Sequence, residues 1–199
     1  VPAPLPRLIL ATRNAGKARE LARLLDGVAE RIESLAEHPG VTLPPETGAT
    51  YAENAAVKAR AVVAALGAAA LGDDSGIEVD ALSGAPGIRS ARYAGESAGD
   101  AGNNARLLAA LSGRPAAERG ARFRCVLALA RPGGGETIVD GTCEGRILDA
   151  PRGDRGFGYD PLFLPDGQSL TFAELPPEVK NRISHRARAA AALRAALGA

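Results

Sequence analysis

The sequence predicts an α/β fold built on a mixed β-sheet flanked by helices. Three observations carry that expectation. Segments with strand and helix periodicity interleave along the chain, two consecutive strand-like runs are separated only by Pro132-Gly133-Gly134-Gly135, and no internal repeat or long linker interrupts the pattern. A link that short joins antiparallel neighbours, whereas interleaved helices favour parallel ones, so the sheet should contain both. The 199 residues are 46% hydrophobic and 24% charged, which suits one domain spanning residues 1–199 with a sizeable buried core.

The elements follow in chain order. Arg7 to Thr12 reads as a short buried strand, and Asn14-Ala15-Gly16 as a turn into a helix that carries Leu21, Leu24 and Leu25 on one face. Thr50 and Glu53 have capping-box spacing and open an alanine- and valine-rich helix that should stop near Gly67. Asn54 and Lys58 lie four apart on it and share a face. Ala68 to Leu71 is apolar and leads into Gly72-Asp73-Asp74-Ser75-Gly76, which reads either as a polar turn or as a ligand-binding segment. Ile77 to Leu82 alternates as a half-buried strand, Ser83 to Gly87 is turn chemistry, and a helical stretch surrounds Arg106 to Leu111. Phe123, Cys125, Leu127 and Leu129 alternate in the first strand of the hairpin, and about Thr137 to Cys143 form the second. Gly153 to Asp160 has three glycines and no periodicity, so it is a loop. Ser184 should cap a final alanine-rich helix ending at Gly198.

Charge and cysteine usage exclude several classes. A net charge of +1 argues against a protein that tracks polymeric nucleic acid, though not against a small anionic ligand. Cys125 and Cys143 lack metal-ligand spacing and read as small buried apolar residues in a reducing compartment. No cationic segment followed by a long apolar run opens the chain, and no span reaches membrane length. The expected compartment is the cytoplasm.

Four segments could carry chemistry. Thr12-Arg13-Asn14-Ala15-Gly16-Lys17 lies between a strand and a helix, where backbone N–H groups and the helix dipole favour an anion and Lys17 adds charge. It is not a Walker A loop, because Ala18 stands where the metal-binding Ser or Thr would be. Any metal must therefore be held elsewhere. Asp73 and Asp74, with Glu46 in the loop before the Thr50 helix, offer hard oxygen donors that suit Mg2+ beside phosphates. Phe157, between Gly156 and Gly158, offers a face to a nucleobase in the run Gly158-Tyr159-Asp160. Lys180 and the pair His185-Arg186 supply donors near the start of the last helix, where cations are otherwise disfavoured.

Together these segments resemble the inosine triphosphatase-like, or Ham1-like, family of pyrophosphatases acting on non-standard purine nucleoside triphosphates. The matching pieces are Thr12-x-Asn14-x-x-Lys17, Glu46-Thr47-Gly48 with Glu53-Asn54-Ala55, and Asp73-Asp74-Ser75-Gly76. They continue with Gly84-Ala85-Pro86-Gly87, Ser90-Ala91-Arg92-Tyr93, Gly156-Phe157-Gly158-Tyr159-Asp160-Pro161 and Ser184-His185-Arg186. They keep the family's order from residue 12 to 186. The resemblance implies an elongated mixed sheet in two lobes with an active cleft between them, a homodimer, and hydrolysis between the α and β phosphates. It implies that Asp74 is general base and metal ligand, with Glu46 a second acid near the metal. Thr12, Asn14 and Lys17 would hold phosphates, and Ser75 would touch substrate. Phe157 to Asp160 with Lys180, His185 and Arg186 would form the base pocket. Gly72 departs from the alanine expected there, and Arg13 occupies a variable position bordering the phosphate site.

The chemistry is coherent with that resemblance. Phosphoryl transfer needs positioning, charge neutralisation and an oriented water, which lysine, backbone donors, Mg2+ and a carboxylate supply. Donors aimed at a 6-keto group would select inosine or xanthosine over adenosine, whose amino group would leave them unpaired. Two other readings stand beside this one: a pyrophosphatase for other modified nucleotides, and a nucleotide-binding module without catalysis. The second explains poorly why three acids would gather near a polyanion.

Overall fold

Consecutive residues of a strand face opposite sides of the sheet, and the first strand of this chain is buried on both. In the computed structural model, which describes residues 3–198, β1 is Leu8–Ala11. Leu8 and Leu10 enter one apolar cluster, whereas Ile9 and Ala11 enter another. β1 therefore lies inside a sheet with layers on both faces. The sheet also contains β2 (Ile32–Ser34), β3 (Ala69–Val79), β4 (Gly120–Ala130), β5 (Glu136–Ile147) and β6 (Phe163–Pro165). Their spatial order is β2-β1-β3-β4-β5-β6. β1 runs parallel to β2 and β3, and β5 runs antiparallel to β6. Residues 131–135 close the β4–β5 hairpin, with the Arg131 N–H donating to the Gly135 carbonyl. The sheet is mixed, as the sequence predicts.

Among the described residues five α-helices accompany it: α1 (Ala15–Leu24), α2 (Tyr51–Leu66), α3 (Gly99–Ala110), α4 (Pro177–Ile183) and α5 (His185–Leu197). Asn14 caps α1 by accepting from the Lys17 N–H at 3.0 Å. Thr50 and Glu53 close both halves of the predicted capping box on α2, which ends at left-handed Gly67. Ser184, extended, directly precedes α5, and Gly198 follows it at φ +70°. No helix of the described residues is long and apolar enough to cross a membrane.

The chain divides into two compact units. The first comprises Val1–Asp74, Cys125–Gly141 and Arg186–Ala199, and the second Ser75–Arg124 and Thr142–His185. In the first unit, Leu21 and Leu25 near α1, Leu127 and Leu129 of β4, and Ala189 and Leu193 of α5 cover one sheet face. Val62 of α2 packs with Ile9, Ala70, Leu35 and Val41 on the other. The second unit has its own core, in which Phe123, Phe163 and Phe172 form an aromatic cluster with ring centroids 4.8–5.8 Å apart.

One expectation changes. Residues 72–76 are not a turn between two strands: β3 runs unbroken from Ala69 to Val79, with both aspartates in its interior, and Asp80–Leu82 turns into a short 3-10 helix. The strand tolerates two buried acids because each finds cations or amides. Gly72 permits the close approach of α2, since a Cβ at that position would run into the Ala55 carbonyl. Backbone against backbone cannot yield by side-chain rotation. Gly72→Ala should therefore lower stability by about 1–3 kcal/mol through overpacking, readable as a fall in denaturation midpoint; an unchanged midpoint would mean that α2 slides freely over β3.

Candidate active site

Strand alternation decides what the two aspartates can do. Ala69, Leu71 and Asp73 share the face covered by α1 and α5, whereas Ala70, Gly72 and Asp74 share the face covered by α2. The two carboxylates therefore take different side-chain hydrogen-bond partners within the first unit.

On the first face Asp73 is fully buried. Its Oδ1 pairs with the Lys17 ammonium, and its Oδ2 accepts from Arg186 Nε at 3.0 Å and from the Cys125 thiol at 3.4 Å. Arg186, 1% exposed, also reaches Glu20 through Nη1 at 2.5 Å. Burial by itself would raise the Asp73 pKa, but the charges of Lys17 and then Arg186 outweigh it and hold the carboxyl well below the usual range. Burial likewise works against the Arg186 cation, and Asp73 more than restores it. This is a compact buried charge network.

On the second face Asp74, 4% exposed, accepts from Asn54 Nδ2 at 3.0 Å. The amide orientation is fixed, because Asn54 Oδ1 accepts the Gly48 N–H at 2.8 Å and could not do so if flipped. Lys58 Nζ lies 4.0 Å from Asp74 Oδ1, 2.6 Å from Glu46 Oε1 and 2.5 Å from the Asp73 carbonyl oxygen. Burial raises the Asp74 pKa; Lys58 and the Asn54 hydrogen bond offset part of this, and nearby Glu46 adds to the rise. The result is a carboxylate held in place and more basic than an ordinary aspartate.

These positions bear on three of the sequence expectations. Asp73 was expected among the metal ligands with Asp74 and Glu46, yet its side chain points to the opposite face and both its oxygens meet cations. Among the described residues no group of three or more His, Cys, Asp or Glu is arranged to hold a metal. Asp74 and Glu46, which converge on one Lys58 ammonium, are the pair whose hard oxygens and charge fit a small divalent cation. Arg13, expected at the phosphates, lines the cavity at the start of α1 and also donates to the carbonyls of Val41, Pro39 and Leu35, so it ties the first loop to residues 35–41. Arg186, expected to read the base, has Nε and Nη1 engaged in the buried network.

The rest of the first loop lies at the start of α1. Thr12 is buried and accepts the Asn14 N–H at 3.2 Å, and Ala15, Gly16 and Lys17 form the first turn of α1. A cavity of about 300 Å3 is lined by Thr12, Arg13, Asn14, Ala15 and Arg19, among others.

In the second unit Ser75 is partly exposed in β3. Phe157 is half-buried, and the Lys180 ammonium lies 5.0 Å from its ring centroid. Asp160 Oδ2 accepts the Phe157 N–H at 3.0 Å and Lys180 Nζ at 2.5 Å. Tyr159 is a core residue whose hydroxyl donates to the Ser90 carbonyl at 2.8 Å, a contact that supports the loop. His185 is buried and stacks on Phe123 at 4.6 Å, 11° from coplanar. Gly158 is held between two side chains of α3.

The sequence reading omitted Asn54, Lys58, Glu20 and Cys125 from the site. The first two had a signal: a polar pair at helical spacing on one face of a helix otherwise rich in alanine and valine. Glu20 and Cys125 had none, because their partners lie far away in sequence.

With this geometry established, likeness to other proteins becomes informative. Residues 8–196 match the Ham1 family. The chain belongs to that family. It is 50% identical to a dITP/XTP pyrophosphatase of Geobacter sulfurreducens, with 98% of each chain covered. It is 52% identical to a protein of the same name from Desulforamulus reducens, over 92% of this chain and 91% of the relative. Among solved structures, a HAM1 protein from Coxiella burnetii superposes with a TM-score of 0.86 at 40% identity, covering 96% of this chain and 98% of that one. A nucleoside-triphosphatase, dITP/XTP pyrophosphatase, from Mycobacterium abscessus gives 0.75 at 46% identity, covering 96% and 99%.

Proposed function

We propose that this chain hydrolyses non-standard purine nucleoside triphosphates, the inosine and xanthosine forms, to the monophosphate and pyrophosphate, and so clears them from the nucleotide pool. The observation that carries the reading is Asp74: buried, raised in basicity, held by Asn54 and facing Glu46 across Lys58. A carboxylate so placed can orient and deprotonate a water, the main chemical task in opening a phosphoanhydride. The names of the relatives, at about half identity over nearly their whole length, support the same reaction and substrates.

The contacts support the following roles. Thr12, Asn14, Lys17 and the first-turn N–H groups at Ala15 and Gly16 bind phosphate oxygens, and the helix dipole of α1 adds to the attraction. Lys17 pairs with Asp73, and a phosphate at the start of α1 would share that ammonium. Asp74 and Glu46 would hold Mg2+, which when bound neutralises triphosphate charge and lowers the pKa of water. Ser75 follows the general base directly and contacts substrate. Phe157 offers the face away from Lys180 to the purine, and His185 supplies a donor towards the 6-keto oxygen. Asp73 and Arg186 position Lys17 and α5 rather than meeting metal or base. The reading includes a homodimer and the cytoplasm as its setting.

The experiment is pyrophosphate release from inosine, xanthosine, adenosine and guanosine triphosphates, each with Mg2+ and with excess chelator. Inosine and xanthosine triphosphates should turn over at least 100-fold faster per unit concentration than adenosine triphosphate, roughly the discrimination a hydrogen-bonded base site supports. Chelation should abolish turnover, and Mg2+ should restore it. Equal rates on all four nucleotides would overturn the substrate assignment, and full activity in chelator would overturn the metal assignment.

A further inference from the structure

Helix α3 controls the shape of the loop that carries Phe157. Gly158 sits at φ +61°, and nothing lies within 4 Å of where a side chain would begin. No side chain at this position contributes packing, and glycine itself is the most freely rotating residue. The Phe157 carbonyl, in the first of the two peptides flanking Gly158, accepts the Asp160 N–H at 3.3 Å, and two side chains of α3 add further bonds. Asp100 Oδ2 accepts the Gly158 N–H at 2.7 Å, and Asn104 Nδ2 donates to the Gly158 carbonyl at 3.0 Å. Four residues apart, Asp100 and Asn104 lie on one face of the helix. The N–H belongs to the peptide joining Phe157 to Gly158, and the carbonyl to the one joining Gly158 to Tyr159. The pair thus holds both peptide planes flanking one flexible residue.

The rest of the loop has its own anchors. Tyr159 is held by the core and by the Ser90 carbonyl, and Asp160 by Lys180 and the Phe157 N–H. Asn103, 2% exposed, ties α3 to the preceding segment, accepting from the Ala94 N–H at 2.8 Å and donating to the Ala91 carbonyl at 3.0 Å. Attachment of the loop to the fold therefore does not need the Gly158 bonds, and the one from Asp100 lies at the surface. Nor is the Asn104 amide chosen for general stability. Its orientation is set by the Gly158 carbonyl, which leaves a buried Oδ1 with no hydrogen-bond partner among the described residues. What the two bonds do is tie both peptides flanking Gly158 to α3, next to the half-buried aromatic ring.

We propose that Asp100 and Asn104 are positioning residues for base recognition: by clamping both peptides of Gly158 they hold the Phe157 ring in the orientation on which the purine stacks. The inference rests on the assignment of Phe157 as the base platform. Holding the ring beforehand removes an ordering cost that binding would otherwise carry. The effect should fall on nucleotide affinity and leave phosphate affinity untouched.

The test uses the full chain with three variants, Asn104→Asp, Asp100→Ala and Asp100→Asn, with Phe157→Ala as reference. Asn104→Asp keeps the side-chain shape but turns an acceptor towards the carbonyl, and Asp100→Asn keeps an acceptor for the N–H. Readouts are KM and kcat for inosine triphosphate, the inhibition constant of inorganic tripolyphosphate as a probe without a base, and the melting temperature. Asn104→Asp and Asp100→Ala should raise KM by roughly 5- to 10-fold, with kcat and the tripolyphosphate constant within about twofold of the parent, and Asp100→Asn should stay near the parent. An unchanged KM in both disruptive variants, while Phe157→Ala raises it, would overturn the clamp and leave the platform standing. A KM unaffected by Phe157→Ala would remove the platform and the clamp together. Parallel loss of nucleotide and tripolyphosphate binding would show that the bonds serve the fold as a whole and would also overturn the proposal.

Discussion

Asp74→Asn should lower kcat by about 100-fold or more, because it removes a general base and a metal ligand in one step. The variant should still fold. Its amide oxygen can take over the hydrogen bond from Asn54, whose own orientation is locked by the Gly48 N–H, and the side-chain volume is almost unchanged. Loss of activity with an intact melting transition would then report on chemistry and not on stability. The raised basicity of Asp74 comes first from burial, and an amide in its place cannot accept a proton at any working pH. KM should change much less than kcat, since the phosphate contacts assigned to Thr12, Asn14 and Lys17 are made by other residues. Near-normal turnover in Asp74→Asn would remove the aspartate on the α2 face from the mechanism. If Asp73→Asn were at the same time inactive but well folded, the reacting carboxylate would have to be the one on the α1 face.

How legible this was from sequence depends on the range of the forces involved. The α2 boundaries could be read residue by residue, because a capping box and a left-handed glycine are local devices whose partners lie within four residues. The β4–β5 hairpin was equally plain from its glycine-rich link. β2 and β6, at three residues each, are too short to show alternation, and they exist because neighbouring strands offer them hydrogen bonds. β3 could not be read as one strand for a related reason. A run of Gly-Asp-Asp-Ser-Gly has turn propensity, and only the distant Lys17, Lys58, Asn54 and Arg186 make two acids acceptable inside a strand. Once the strand is known, alternation alone separates the roles of Asp73 and Asp74, an argument the turn reading could not make. The same limit applies to Arg13, whose carbonyl partners at residues 35, 39 and 41 are invisible until the chain folds back.

Asp73→Asn should be the most destabilising of these replacements, costing about 3–5 kcal/mol, because it leaves the buried Arg186 guanidinium without its principal counter-charge. For a chain of this length that corresponds to a fall in melting temperature of roughly 6–20 °C. Glu20 remains beside Arg186, so the loss should stop short of abolishing the fold. The charge dependence can be isolated by pH, working in chelator so that no metal competes for the acids. Asp73 has a folded-state pKa held well below its unfolded value, so its contribution is fully present above the ordinary carboxylate pKa of about 4 and disappears as pH falls through the folded value. The stability gap between parent and variant should accordingly be constant from neutral pH down to about 5 and narrow below about 4. Arg186→Met should cost a comparable amount alone, and the double replacement should cost clearly less than the sum, because each single change strands the charge that the other removes. Strict additivity, or a gap that widens in acid, would mean that Asp73 and Arg186 are not the coupled buried pair that joins β3 to the start of α5.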